Sequence, residues 1–144
     1  MLQKSISAVC LITAIVIAAA GSIWAAVPMS QVRSWRDSAP EAVNVTALSI
    51  EQNSEIRPYG NSGSATTTLV TLTARVDVVH RTVSGLVPGV VIVVRYTRSA
   101  QSPPTPGIQQ DIILNIGERA AAYLKQTSEK TYMLACPFGC LDRL

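Results

Sequence analysis

The chain has little of what most catalytic sites need. Its 144 residues include one histidine, His80, and its acidic residues are scattered singly. A hydrolytic triad needs a nucleophile, a base and a group that orients the base. On an alternating strand, Asp77 would point to the face opposite His80. The sequence also lacks phosphate-loop, dinucleotide-binding, nucleophile-elbow and zinc-protease motifs. We therefore expect a protein that is not an enzyme.

Charge is also scarce. Charged residues make up 15% of the chain, the net charge is +3, and no run of basic residues occurs. A nucleic-acid interface needs basic residues concentrated in a patch or stripe, so we expect no nucleic-acid partner. Hydrophobic residues make up 48% of the chain, which is enough to bury the core of one small domain.

The first 26 residues have the layout of a secretory signal peptide. Lys4 supplies a positive charge, an apolar stretch runs from Ile6 to Trp24, and Ala25 and Ala26 end the segment. We expect a mature N-terminus between residues 23 and 28 and a periplasmic or secreted protein. An uncleaved anchor is the alternative, because the apolar stretch approaches the ~20 residues that span a bilayer. The membrane is expected as a partner only in that case.

The strongest structural signal is the stretch Thr66–Arg98, which reads as two long strands joined over Ser84–Gly89. Residues Val70–His80 alternate between apolar and polar, and Val90–Tyr96 is rich in β-branched residues. Pro88 and Gly89 lie between the two strands and suit a type II turn. The alternation predicts an inward face made of Val70, Leu72, Ala74, Val76, Val78 and His80.

The rest of the mature chain reads as short elements around this pair. Ser30 can cap a short helix up to Ala39, which Pro40 would end. Prolines exclude helix or central strand over Ser99–Gly107. Further strands are predicted over Ala42–Ile50, Ile108–Ile116 and Lys130–Ala135, with a polar loop or hairpin tip over Glu51–Ala65, whereas Arg119–Lys125 suits helix or strand. This pattern predicts one all-β domain over residues 27–144, either a barrel or a sandwich.

Three motifs resemble a known family. They are the stretch from Val78 to Tyr96 around Gly85-Leu86-Val87-Pro88-Gly89, the segment Leu114–Arg119, and Ala122-Tyr123-Leu124. Over residues 42–135 the chain is similar to small exported bacterial proteins of the netrin-like type, whose barrel is shared with tissue inhibitors of metalloproteinases. The resemblance implies an OB-like barrel. Together with the residue patterns above, it predicts a small barrel of about five or six antiparallel strands with a short N-terminal helical segment. The inhibitors chelate zinc through an N-terminal Cys-x-Cys, which this chain lacks, so no functional residue carries over.

Cys136 and Cys140 are the two cysteines of the mature chain. An even number of cysteines in an oxidising compartment favours a disulfide, and Pro137 and Gly139 between them are turn residues. Two alternatives remain open. The pair can hold copper together with His80 or Met133, because thiolate and thioether are soft ligands, or it can act as a reactive dithiol.

These observations favour an exported, non-enzymatic β-barrel domain that binds or supports another exported protein. Arginine is enriched at protein interfaces, so the candidate contact residues are the arginines expected on the outward sheet face and one tryptophan, namely Arg75, Arg81, Arg95, Arg98 and Trp35. No cofactor is expected in this reading. The alternative is a metal-binding or thiol-redox accessory factor for the maturation of a periplasmic enzyme, acting through Cys136 and Cys140 with copper as its metal.

Overall fold

The computed structural model describes residues 27–102 and 112–144 of the chain. The predicted leader lies outside these residues. The described elements are the helix α1 (Met29–Ser38) and the strands β1 (Glu41–Tyr59), β2 (Gly63–Arg81), β3 (Val91–Ser102), β4 (Arg119–Ser128), β5 (Thr131–Leu134) and β6 (Leu141–Arg143). Within these residues, none of the helices is long and apolar enough to cross a membrane.

The strands form a barrel that closes on itself. The order β1-β2-β3-β5-β4 returns to β1 through an antiparallel pairing of β1 with β4, and β6 adds to the free side of β4. The prediction of a small all-β, OB-like barrel is confirmed. One pairing differs from the antiparallel expectation, because β3 and β5 run parallel. Parallel neighbours need a long crossover, and the chain makes it through β4.

The core lies inside the barrel and matches most of the predicted inward face. Val70, Leu72, Ala74 and Val76 are buried, together with Ile92, Val94 and Tyr96 from β3. Burying a side chain of valine or leucine size contributes about 1.5–3 kcal/mol, so this alternation fixes which face of β2 points inward. The turn after β2 is also as expected, since Gly89 has a φ of 91°.

The predicted inward positions of Val78 and His80 are wrong. The pairing of β1 with β2 skips one residue of β2 at Asp77 and another at His80. An extra residue in one strand is a β-bulge and reverses the alternation beyond it. Val79 therefore packs against the core, whereas Val78 and His80 are exposed.

Three other boundaries differ from the sequence-based expectation. The polar segment 51–65 is mostly strand, because β1 and β2 continue as a long hairpin whose tip is residues 60–62. The predicted strand over Ile108–Ile116 is not formed by residues 112–116, and 108–111 lie outside the described residues. Residues 99–102, expected to be irregular, extend β3. The ambiguous segment Arg119–Lys125 belongs to β4, and β5 confirms the predicted last strand, which β6 follows unpredicted.

The helix α1 packs against the barrel. Its Val32 is buried and its Trp35 packs partly buried against the core, as their spacing on one helical face predicts. The helix begins one residue before the predicted N-cap Ser30, directly after Pro28, and no side chain caps it. Proline suits the start of a helix because the first N–H groups have no partner within the helix.

Candidate functional site

Two of the predicted contact arginines hold the fold together. Arg81 donates from Nε to the carbonyl oxygen of Ala39 and from Nη2 to that of Arg36, each at 2.7 Å, which fixes the end of α1 on β2. Arg75 donates from Nε to the Asp77 carboxylate at 3.1 Å. Their guanidinium groups are thus engaged within the described fold, and their part in binding a partner stays a prediction.

The Asp77 bulge carries a polar cluster on the outside of the barrel. The Thr46 hydroxyl donates to one carboxylate oxygen of Asp77, and Arg119 Nε lies 3.6 Å from the same oxygen. The hydrogen bond from Thr46, assisted by Arg75 and Arg119, holds the pKa of Asp77 below its ordinary value. Bonds to the charged form of a carboxyl favour that form, so this cluster is built to keep Asp77 ionised.

Two further predicted contact residues lie away from the outer sheet face. Trp35 is half-buried between α1 and the core. Arg98 is two residues beyond the buried Tyr96 in a strand with no bulge against β2, so it shares the face of Tyr96 and not that of Arg95. Residues three apart in a regular strand point to opposite faces, so Arg95 and Arg98 cannot share one. The arginines predicted on the outward face therefore lie on two different faces of the sheet.

Arg95 is at the centre of an exposed face formed by β2, β3, β4 and β5. In the ladder it stands opposite Thr71 on one side and Met133 on the other, and Met133 stands opposite Lys125. The residues on both sides of Thr71, Arg95 and Met133 are buried, as is Leu124 before Lys125, so these side chains point outward. We call this surface the docking face, and its members are Leu69, Thr71, Val91, Val93, Arg95, Thr97, Met133 and Lys125.

The docking face combines exposed apolar side chains with two cations. Leu69, Val91 and Met133 are 47%, 45% and 44% exposed. Among the described residues, neither Arg95 nor Lys125 forms an ion pair. In the strand register Leu69 stands opposite Thr97, Val91 opposite Arg75 and Met133 opposite Arg95, so the three apolar side chains do not adjoin one another. Single exposed apolar side chains are ordinary on a protein surface, so it is their combination with the two cations that distinguishes the docking face. These two cations make the surface positively charged, which favours an anionic partner.

A groove continues the docking face toward the cysteine loop. Its volume is about 340 Å³, and its lining residues are Arg95, Tyr96, Thr97, Met133, Leu134, Cys136 and Pro137. This volume is at the lower end of what small-molecule pockets occupy, about 300–1,000 Å³. One or two side chains of a docked segment would fill it.

The predicted disulfide is present. Cys136 and Cys140 are bonded to each other with their Cα atoms 5.8 Å apart, and both side chains are buried. Arg36 Nε donates to the carbonyl oxygen of Gly139 at 2.7 Å, which ties the loop between the cysteines to α1. Reactive dithiols lie in partly exposed, electropositive surroundings, so this burial favours a structural bridge.

The ligands of the alternative metal site are divided between two grooves. His80 pairs through Nε2 with the Asn44 side-chain oxygen at 3.2 Å and lines a groove with Tyr123. Met133 and Cys136 line the groove next to Arg95. Across residues 27–102 and 112–144, no three His, Cys, Asp or Glu side chains cluster as metal ligands would. Copper binding by Cys136, Cys140, His80 and Met133 stays a prediction that needs reduced thiols.

The roles of two residues, Glu41 and Lys125, were not predicted from the sequence. Glu41 is 1% exposed, and its Oε1 accepts hydrogen bonds from the backbone N–H groups of Val83 and Ser84. It thereby holds the loop after β2. Lys125 lies in the segment whose structure was ambiguous, so its place on the docking face could not be assigned. The only sequence signal for Glu41 was its position directly after Pro40, at the start of a strand.

Comparison with protein-family models, with curated proteins and with solved structures finds no match. The resemblance to netrin-like barrels therefore remains an expectation from sequence motifs, whereas the OB-like strand order rests on the structure itself.

Proposed function

We propose that this chain is an exported, non-enzymatic domain that binds another exported protein on its docking face. Two features support export. The first 26 residues have the charge, apolar stretch and small-residue end of a signal peptide. Cys136 and Cys140 are joined in a disulfide, a bond that persists in oxidising compartments. The periplasm or the extracellular space is therefore the proposed location.

The observation that carries the binding function is the composition of the docking face. Arg95 and Lys125 lie on either side of Met133, and neither cation has a counter-ion among the described residues. A partner segment that places a carboxylate near each cation and an apolar side chain over Met133 would satisfy all three. The expected partner is an extended segment of an exported protein that contains both acidic and apolar residues.

Three carboxylates form hydrogen bonds or ion pairs within the fold, which supports a non-catalytic role. Glu41 binds the loop after β2, Asp77 binds Thr46 and two arginines, and Glu118 accepts from the backbone N–H of Asn115 at 2.7 Å. Each of these carboxylates stabilises local structure. A general acid or base needs instead to reach a substrate.

The alternative function at the cysteines has less support from the geometry. Copper binding or thiol exchange through Cys136 and Cys140 would require the disulfide to be reduced and the sulfurs to become accessible, yet Cys140 is fully buried. The adjoining β6 and the bond from Arg36 hold the loop in place. These contacts favour a bridge that fixes the C-terminal segment.

Selection from a random peptide library tests the proposed binding chemistry. Peptides retained by the immobilised protein should share acidic and apolar residues, and their affinity in calorimetry should fall at least tenfold in Arg95→Glu. Arg33→Glu is the matched control, because it makes the same charge change on the exposed surface of α1. Peptides that lack acidic residues, or equal losses in both variants, would contradict the proposal.

A further inference from the structure

In the long β1–β2 hairpin, the outer part of β1 has no strand partner on one edge among residues 27–102 and 112–144. The barrel contact of β1 with β4 and the segment before it ends at Ala47, which bonds through its N–H to Glu118 and through its carbonyl to Gly117. From Ser49 to Tyr59, β1 pairs only with β2 among the described residues. An open edge of this kind is a template for another strand.

The backbone N–H and carbonyl groups of every second residue along this edge point outward, away from β2. Ala47 directs its N–H and carbonyl away from β2, and one bulged residue, Leu48, follows it. Alternation then turns the N–H and carbonyl outward at Ile50, Gln52, Ser54, Ile56 and Pro58. The position of Pro58 agrees, because proline has no N–H and is tolerated in a strand where that group would face outward. The two observations independently give the same alternation.

We propose that this edge pairs with the same edge of a second copy of the chain. An antiparallel pairing about a twofold axis at Ser54 would use the whole free stretch, since Ser54 lies midway between Ser49 and Tyr59. The outward N–H groups would form about eight hydrogen bonds across the axis. Such an interface is isologous, as in most homodimers.

The charges of the edge fit the same register. With Ser54 opposite Ser54, Glu51 of each copy stands opposite Arg57 of the other, on the face that holds the docking face. Arg57 already pairs with Glu55 of its own strand at 3.0 Å, so each Arg57 would lie between two carboxylates. In this register Glu51 and the facing Arg57 form a non-hydrogen-bonded pair of the ladder, the kind of pair in which facing side chains are closest. Moving the axis by one residue, to Asn53 or Glu55, would bring Glu51 opposite Glu55 or Glu55 opposite itself. Length and charge therefore select one register, and this self-complementarity identifies the occupant as another copy.

This pairing does not depend on the proposed function, although it would extend it. The twofold axis is perpendicular to the sheet, so the docking faces of both copies would lie on the same side of one continuous sheet. A partner with two binding segments would then meet two docking faces.

Sedimentation analysis of the protein purified from the exported fraction, with a register-specific cross-link, tests the pairing. We expect a dimer whose dissociation constant rises about tenfold in Glu51→Arg and in Arg57→Glu, and recovers in the double variant. Under oxidising conditions Ser54→Cys should give a disulfide-linked dimer. Ile56→Cys should not, because the two cysteines would be about 13 Å apart, four residues at about 3.3 Å each.

A protein that remains monomeric at all accessible concentrations would overturn the proposal. Equal cross-linking of Ser54→Cys and Ile56→Cys would also overturn it, because that result requires a different register. Circular dichroism of each variant checks that the barrel has folded. Peptide binding by Glu51→Arg, measured at a concentration where sedimentation shows it to be monomeric, would separate a failure of this pairing from a failure of the docking face.

Discussion

At the scale of single residues, Asp77 shows how one carboxylate can organise a distortion of a strand. It occupies a β-bulge of β2, accepts a hydrogen bond from Thr46 of β1, and forms ion pairs with Arg75 of its own strand and Arg119 of β4. The bulge increases the local twist of the strand, and the cluster joins three strands where the barrel closes. A polar residue between Val76 and Val78 thus has a structural role that alternation alone does not suggest.

The pKa of Asp77 should rise when its main hydrogen bond is removed. Thr46→Val keeps the shape of the side chain but cannot donate to the carboxylate, and that bond is the largest cause of the lowered pKa. NMR titration of the Asp77 carboxyl carbon in both proteins measures the change. An unaltered titration in Thr46→Val would show that the two arginines alone set the pKa.

The same shift makes the stability of the fold depend on acid pH. Asp77 has a lower pKa in the folded than in the unfolded chain, so its contribution is fully present above the ordinary value of 3.8 and is lost as the pH falls through the folded value. Urea unfolding of the wild type and Asp77→Asn should therefore differ at pH 7 and converge at the acid end of this window. A difference that stays constant with pH would contradict this origin.

At the scale of elements, sequence patterns located most strands but not their ends. The alternation of Val70–Val76 placed β2 correctly, because one face had to be buried. It failed beyond Asp77, since a bulge leaves no pattern in a single sequence. It also missed the strand residues within Glu51–Ala65, where Ser54, Ser64 and most of their neighbours are polar and carry no signal of burial.

The alternation of β3 gives a matched pair of core and surface variants. Ile92 is fully buried, whereas the adjacent Val91 points outward and is 45% exposed. Ile92→Asp should prevent folding because it would bury an unpaired charge, and Val91→Asp should fold because water reaches its side chain. Circular dichroism and soluble yield report the outcome. A folded Ile92→Asp protein would contradict the assignment of the inward face.

The disulfide should secure the C-terminal segment more than the barrel. It closes a loop between residues four apart, for which the loss of unfolded-chain entropy is about 2 kcal/mol. The variant with Cys136→Ala and Cys140→Ala should therefore fold and be about that much less stable to urea.

Hydrogen exchange should locate the effect of that variant. We expect faster exchange in β6 and at the end of α1, because Arg36 bonds to Gly139 within the loop, and little change in β2. Equal loss of protection in β2 would mean that the whole barrel depends on the bridge.

At the scale of the whole molecule, the sequence predicted the fold class better than the surface. The strand pattern identified a small all-β domain, either a barrel or a sandwich, and the motif resemblance favoured the barrel. The cysteine pair was correctly expected to be bridged. The docking face needed the structure, because Arg95, Met133 and Lys125 come from three strands whose register no local pattern specifies. Arg95 alone was proposed from the sequence, as one of five candidate contact residues.

The central claim is that the docking face binds another exported protein, and photo-cross-linking in cells tests it most directly. A photoreactive amino acid at Thr97 would lie on the docking face. At Ala100, exposed on the same strand, it would lie on the opposite face. We predict an adduct from position 97 whose mass differs from twice that of the chain. This adduct should be absent when the photoreactive residue is at position 100, and it should be lost in Arg95→Glu. The absence of an adduct at position 97, or equal adducts at both positions, would contradict the claim.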